Sequence, residues 1–368
     1  MTNKSHSIKV VKFGGSSLAN VESILMARDI VLTDRERTIV VVSAPGKCKE
    51  FPYKVTDLLI EGFADKRGES FKRVFDRFRV LSKGLGVNIS AEIRRTQEEV
   101  AINRKNYDFV VSRGEYLMAI LFAKLLGYRF LDSANLIVIK SNGKYHPQMT
   151  QSKFTRYIGR VDKIVIGGFY GVSVAGVIKT FPRGGSDYTG AIVTVCLRAE
   201  IYENFTDTYG VQTANPALFE NTQSISELDY VTMYKLSKAG ASVIYPECLP
   251  LLKGHSVPLK VDNTFDPGVK PTIIGCNKTG SKYPSCHNKV CPKFFCITYK
   301  FEQNINKDMV EIFVAFNKYS PRIADLRKIL NGTEVYLTRF EKRELTMITT
   351  GENLVAVVGL LHDYFMGL

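Results

Sequence analysis

The sequence predicts an α/β fold with a mostly parallel sheet covered on both faces, followed by a small α+β unit with an antiparallel sheet. Three observations predict it. Short apolar runs end in glycine-rich or small-residue turns at Ile8–Phe13, Thr38–Val42 and Ile164–Ile166, as buried strands do when they open onto loops. Stretches of helical period lie between these runs, so strand and helix alternate. Beyond residue 292 the order becomes strand, strand, helix, strand, strand, helix, at Lys293–Phe301, Met309–Phe316, Arg322–Leu330, Thr333–Arg339, Glu344–Ile348 and Leu354–Phe365.

The chain has 368 residues, 45% hydrophobic and 23% charged, which suits a globular protein with two domains. The expected boundaries are 1–275 for the α/β domain, 276–292 for a linker and 293–368 for the small domain. A formal charge of +14 brings a nucleic-acid partner into consideration. The Lys and Arg residues are scattered, however. In Asp65–Leu81 the apolar Phe71, Val74, Phe75, Phe78 and Leu81 recur at helical spacing, while Lys72, Arg73, Arg77 and Arg79 are expected to face solvent. The charge therefore suits solvated helix faces or a small anionic ligand, and no nucleic-acid partner is expected. No secretory signal precedes Ile8, and no apolar run approaches a membrane span. Seven Cys without a disulfide-like framework suggest a reduced, cytoplasmic setting. Cys276, Cys286, His287, Cys291 and Cys296 include no Cys-x-x-Cys pair, so incidental loop thiols are expected rather than a zinc site.

Taken in order, Ile8–Phe13 leads into Gly14-Gly15-Ser16-Ser17 and a helix at Asn20–Val31. Strand, glycine pair and helix make a phosphate-cradling arrangement, with Lys12 just ahead of the glycines. No Gly-Lys-[Ser/Thr] follows, so this is not a Walker A loop. Thr38–Val42 opens onto Ser43-Ala44-Pro45-Gly46, a polar loop and a helix starting at Thr56-Asp57. Further helices are expected at Ser70–Lys83, Ser90–Asn103 and Ser112–Leu126, the last with Ser112 and Glu115 spaced as a capping box. Strands are expected at Tyr128–Asp132, Leu136–Ile139, Glu200–Phe205, Ser242–Tyr245 and Pro258–Val261, with helices at Asp229–Ala239 and Pro246–Lys253.

Ile164–Ala191 carries the most chemistry. After its strand and Gly167-Gly168 comes Arg183-Gly184-Gly185-Ser186-Asp187, then a buried helix from Tyr188. The glycines allow backbone to approach a ligand, and Arg183 offers a planar fork for carboxylate or phosphate. Ser186 and Asp187 suit an N-cap, where amides bind anions. The same string also fits a plain glycine turn with a surface Arg.

Together these motifs resemble the aspartate kinase branch of the amino-acid kinase family. The resemblance rests on Lys12 to Ala19, Val41-Val42-Ser43-Ala44 with Val55 to Leu59, Gly114-Glu115, Gly167-Gly168-Phe169 through Thr189, Thr206 to Val211, and Gly240 to Pro246. The tail, with Leu361-His362, resembles an ACT regulatory domain. The resemblance implies a three-layer amino-acid kinase fold with a ferredoxin-like, ACT-type module. It also implies transfer of the ATP γ-phosphoryl group to the side-chain carboxylate of L-aspartate with Mg²⁺, in amino-acid biosynthesis, by a homo-oligomer joined through the ACT-like part. Lys12, Gly14, Gly15 and Ser16 would then bind phosphate, and Asp187 would orient Lys12. Arg183, Glu115, Ser43, Thr56 and Ser186 would bind the amino acid. Thr206, Asp207, Gln212 and Ser242 would lie at the nucleotide. An aspartate side chain is ionised at neutral pH, so this chemistry needs alignment and charge shielding rather than a general base. Three positions depart from the family. Gln212 replaces a Tyr, Asn215-Pro216-Ala217 replaces Asp-Pro-Arg, and Gly240-Ala241-Ser242 replaces Gly-Ala-Lys. Each lost charge-assisted contact would weaken nucleotide binding by roughly 1.5–3 kcal/mol. Three readings stay open: Lys235 or Lys238 replaces the cations, the donor differs from ATP, or the protein binds its amino acid without turning it over efficiently.

Overall fold

The computed structural model describes residues 7–65, 68–158, 162–182, 184–219, 221–275, 294–301, 309–317, 321–341 and 343–367. The expected linker at 276–292, with Cys276, Cys286, His287 and Cys291, lies outside the described residues. Internal packing divides the chain into two units, residues 1–207 with 262–268, and residues 208–261 with 269–368. The second unit thus takes in 208–261, which the sequence reading grouped with the residues before them.

The first unit runs β1 (Lys9–Phe13), α1 (Val21–Leu32), β2 (Ile39–Val42), α2 (Val55–Ala64), α3 (Glu69–Gly84), α4 (Ser90–Ile102), α5 (Tyr107–Val111) and α6 (Arg113–Leu126). It continues through β3 (Arg129–Phe130), β4 (Val138–Ile139), α7 (Pro147–Tyr157), β5 (Ile164–Gly167), β6 (Tyr170–Ser173), β7 (Ile178–Thr180), α8 (Gly185–Leu197) and β8 (Ile201–Thr206). Its main sheet has the order β8-β1-β2-β5-β3, every neighbouring pair parallel. Such strands are buried on both faces, which is why they read as continuous apolar runs. Val11 and Phe13 of β1, Val40 and Val42 of β2 and Val165 of β5 pack with Ile24, Leu59, Phe78 and Leu117 of the helices on one face. On the opposite face α8 lies against β1, β2 and β8. The parallel, three-layer α/β arrangement is as expected.

The second unit holds β9 (Val211–Gln212), β10 (Ser224–Ile225), β11 (Glu227–Leu228), α9 (Tyr230–Lys238), α10 (Cys248–Gly254), β12 (Leu259–Asn263, its last two residues belonging to the first unit) and β13 (Thr272–Ile274). Its C-terminal part follows as β14 (Phe294–Phe301), β15 (Met309–Asn317), α11 (Ile323–Ile329), β16 (Val335–Glu341), β17 (Glu344–Thr350) and α12 (Leu354–Gly367). These strands form a sheet of order β14-β15-β17-β16, antiparallel throughout. From β15 to α12 the chain supplies five elements of a β-α-β-β-α-β module, and β14, ahead of them in sequence, takes the remaining place beside β15. Alternate residues Val310, Ile312, Val314 and Phe316 of β15 join Leu345, Met347, Val357, Leu361 and Phe365 in the core of this part.

Several expectations need correction. Ser242–Tyr245 is not a strand but a turn at 242–243 followed by a bend; the Pro at 246 follows at once, and only Ile244 of the four is buried. The strands expected at 128–132 and 136–139 shrink to β3 and β4, with a 3₁₀ turn at Ser133–Asn135 between them. Arg77 does not face solvent but is 3% exposed. It lies three residues after Val74 and four before Leu81, hence on the buried stripe of α3. The Ser112 capping box does not form: Ser112 Oγ donates to the Phe109 carbonyl, because α5 runs almost directly into α6.

Arg37 and Glu203 form a buried, two-pronged ion pair, with Arg37 Nε 2.7 Å and Nη2 3.2 Å from the carboxylate. Removing one partner takes the two-pronged contact away from a buried charge. Arg37→Met is therefore expected to lose about 3–5 kcal/mol of stability. Urea denaturation of the variant beside the native chain measures this, and a loss below about 1 kcal/mol would show the pair to be no more than a surface contact.

Candidate active site

The loops that leave the C-terminal ends of β1, β2 and β5 meet by backbone, and glycine is what allows it. Gly46 N–H donates to the Gly15 carbonyl at 2.7 Å. A Cβ on Gly15 would come within 2.9 Å of the Ala44 carbonyl oxygen, and one on Gly46 within 2.6 Å of the Gly15 carbonyl carbon. Gly168 is closed off in the same way by Ser186, whose Cβ would stand 2.6 Å from an added Cβ. Gly184, at φ +81°, turns the chain into α8 and serves as its N-cap. Ser186 and Asp187 therefore occupy the first turn of α8 and not the cap position expected of them.

That displacement into the helix gives Asp187 its role. Its carboxylate meets Lys12 at the end of β1, with Nζ 2.5 Å from Oδ1. The side chains are only 8% and 15% exposed. The Tyr202 hydroxyl, from β8, donates to the Asp187 carbonyl at 3.1 Å and steadies the same turn. Two residues on, Thr189 accepts from the Phe169 amide at 3.0 Å. The glycine pair divides its duties: Gly14 N–H donates to the Phe205 carbonyl at 3.1 Å, whereas the Gly15 amide has no acceptor among the described residues. Ser16 opens a short 3₁₀ turn, and Ser17 behind it shares a 2.7 Å hydroxyl contact with Thr264.

Glu115 is the other conspicuous group. It is 4% exposed in the first turn of α6, and its Oε2 has no partner among the described residues. Burial pushes its carboxyl up to about 8, against the opposing pull of the Ala44 amide. Ser43 follows β2 and donates its amide to the Phe13 carbonyl at 3.2 Å, and Thr56 is the second residue of α2; both are half-buried. Thr206 ends β8 and donates to the exposed Asp207 carboxylate at 3.1 Å. Ser16, Asn20, Lys47, Cys48, Asp207 and Phe265 line a cavity of about 280 Å³. Arg183 lies outside the described residues. Gln212 and Ser242 belong to the second unit: Gln212 Nε2 donates to the Tyr209 carbonyl at 2.7 Å and to Ser224 Oγ at 2.8 Å, and Ser242 Oγ donates to the Gly240 carbonyl at 3.4 Å. Also in that unit, Lys235 and Lys238 are engaged by Glu344 at 2.5 Å and Glu247 at 2.9 Å. Cys296 is buried, with its thiol pushed up to about 12 by burial and directed to the Gln212 carbonyl. No three-residue cluster of His, Cys, Asp and Glu suited to a metal occurs among the described residues.

Sequence reading missed Arg77. Its guanidinium donates to the Ala19, Gly46 and Tyr53 carbonyls and covers the Phe51 ring, fastening the 43–54 loop from behind. The only available signal was its place on the apolar stripe of α3. It also missed Asn204, buried in β8. A polar residue in the run Ile201–Phe205 was that signal.

Residues 7–263 match the amino acid kinase family. Over 301 residues the chain is 36% identical to "Aspartokinase 3" of Bacillus subtilis (strain 168), an alignment covering 75% of this chain and 65% of that protein. It is 26% identical over 293 residues to "Lysine-sensitive aspartokinase 3" of Escherichia coli (strain K12), covering 74% and 65%. The match to the aspartokinase of Rickettsia prowazekii (strain Madrid E) is 27% over 281 residues, covering 73% and 55%. The chain thus spans 55–65% of the length of these curated relatives. The fold agrees with that of Clostridium acetobutylicum aspartate kinase, at a TM-score of 0.81 and 24% identity over 97% of this chain and 100% of that one. It agrees as well with that of E. coli aspartokinase III in complex with aspartate and ADP, at 0.80 and 18% over 97% and 99%.

The buried Glu115 carboxyl makes stability depend on pH. Its folded value of about 8 lies above the ordinary 4.5, so the folded chain holds the proton more firmly than the unfolded one. Stability from this group is complete below about pH 4.5 and is lost as pH rises through 8. Glu115→Gln carries no such dependence. Between pH 4.5 and 8.5 the variant is expected to gain on the native chain by roughly 3–5 kcal/mol, read from denaturation midpoints at both values. A constant difference between the two proteins would mean that the carboxyl is solvated.

Proposed function

Because the chain belongs to the amino acid kinase family, we propose that it transfers the γ-phosphoryl group of ATP to the side-chain carboxylate of L-aspartate, giving 4-phospho-L-aspartate, with residues 1–275 carrying the transfer. The observation that carries this reading is the Lys12–Asp187 pair at the head of the parallel sheet, flanked by glycine loops. Ligands in α/β folds gather at this end of the strands. Aspartokinase relatives, one of them 36% identical, support the choice of acceptor.

The acceptor carboxylate arrives ionised and needs no base, so the task is to bring two anions into line and lower their repulsion. Lys12 supplies the positive charge, and Asp187 holds it at the end of β1 until the phosphoryl group competes for it. The Gly15 amide is placed to donate to a phosphate oxygen. The buried Glu115 carboxyl, with one unpartnered oxygen, suits the substrate ammonium, whose arrival would favour its ionised form. Ser43, Thr56 and Ser186 offer hydroxyls to the amino acid, and Arg183 suits its α-carboxylate. Thr206 and Asp207 belong to the nucleotide in this reading. Mg²⁺ held mainly by phosphates needs only one or two protein carboxylates, and the exposed Asp207 fits that requirement. When bound, the ion neutralises phosphate charge. The reaction suits a cytoplasmic setting, and the C-terminal sheet is the proposed means of homo-oligomer formation.

A second reading has its own observation. Lys235 and Lys238, the candidate replacements for the cations missing at Ala217 and Ser242, are held by Glu344 and Glu247. A chain that binds its amino acid and turns it over weakly, or not at all, is consistent with that.

Trapping of the acyl phosphate as a hydroxamate, with aspartate, ATP and Mg²⁺, separates the two. Native protein is expected to yield product, and Lys12→Met to lower kcat by roughly 10²–10³-fold. Absence of product from the native chain, across carboxylate-bearing amino acids and several nucleotides, would leave only the second reading.

A further inference from the structure

Asn204 is a buried polar side chain to which the reaction as described gives no task. It is 1% exposed, and neither Oδ1 nor Nδ2 has a partner among the described residues. Its neighbour Phe205 stacks on Phe13, on the face of the sheet that packs against α1 and α6. Alternation along β8 therefore turns Asn204 and Tyr202 to the other face, which α8 covers. There Tyr202 donates to the Asp187 carbonyl at 3.1 Å. In the parallel register Asn204 stands opposite Lys12, whose Nζ lies 2.5 Å from Asp187 Oδ1. The strands carrying them run about 4.8 Å apart. The amide thus shares a face and a level of the sheet with the ion pair.

An amide kept dry and unpaired lowers stability, and an apolar residue of similar volume would avoid that cost. A buried group of this kind calls for an explanation. Resting on the phosphoryl-transfer reading above, we propose that Asn204 is a positioning residue for Lys12. When the Lys12 ammonium leaves Asp187 for the migrating phosphoryl group, Asn204 Nδ2 donates to the carboxylate left behind. When the phosphoryl group has gone, Lys12 returns and the amide is released. The Asp187 carboxylate thereby gains a donor as the ammonium departs, and Lys12 moves at a lower free-energy cost. Only hydrogen bonds change hands, and no covalent bond is involved beyond the transfer itself. Nothing in the pattern of apolar residues around β8 requires an amide at this place.

The test compares full-length native protein with Asn204→Leu and Asn204→Ser, in thermal denaturation and in the hydroxamate assay. Leu fills the space without a polar group and is expected to raise the melting midpoint by about 2 °C. It is also expected to lower kcat about tenfold, with KM for both substrates unchanged. Ser packs less well but keeps a donor; it should melt below the native protein while retaining kcat within about threefold. Stability and kcat therefore rank the two variants in opposite orders, which a packing role cannot produce. Native kcat in Asn204→Leu, or kcat values that follow the melting midpoints, would overturn the proposal while leaving the kinase reading intact. Absence of transfer by the native chain would instead reject both.

Discussion

The Lys12–Asp187 ion pair is the interaction on which the site is built. Taking both charges out of water is costly, and the pair survives there only because its geometry is close and neighbouring groups hold it. Those neighbours come from separate parts of the first unit. β1 delivers Lys12, the turn at Gly184 starts α8 so that Asp187 falls in its first turn, and Tyr202 of β8 secures the Asp187 carbonyl. A shift of one residue in the β1–β8 register would reverse which side chains face α8 and dissolve the pair.

Around that pair, polar groups are buried in places where a plain core would have apolar ones. Glu115 keeps an unpartnered oxygen, Asn204 an unpartnered amide, and Arg77 spends its guanidinium on three loop carbonyls. Each lowers stability compared with a hydrocarbon of the same shape. In the proposed reaction the first two would meet a small zwitterion and a moving ammonium, and the third keeps the 43–54 loop in place. Buried polar groups of this kind are expected at sites whose chemistry is electrostatic and which must be organised before the ligand arrives. The second unit shows a plainer logic: β14 to α12 pack apolar residues on one face of an antiparallel sheet, and a buried contact of 3.1 Å between Thr213 and His362 ties that core to the chain near β9.

Most of the fold was legible because the signals were local. Strands such as Ile39–Val42 and Ile164–Gly167 are apolar on both faces, and glycine or small-residue turns end them. The C-terminal elements were legible from simple alternation, as in Met309–Asn317. Errors arose where a short signal competed with packing. The Ser112–Glu115 spacing matches a capping box, yet α5 runs almost directly into α6 and Ser112 Oγ turns back to the Phe109 carbonyl. Ser242–Tyr245 has two β-branched residues but no strand to pair with. Arg77 was judged by its charge, although its position on the helix turns it inward.

By itself the sequence determined which residue types could stand near one another along the chain: a lysine before two glycines, an acid near the start of a helix, a basic residue beside a glycine turn. Local spacing and steric demands of the backbone suffice for that. The tertiary structure alone decided which of those groups meet. Lys12 and Asp187 are 175 positions apart in sequence and 2.5 Å apart in space. Asn204 shares a sheet face and a level with that pair because β8 lies parallel to β1 in one particular register. Such meetings depend on strand order, on register and on how burial alters the energy of a charge, and none of these is a property of a short stretch of chain.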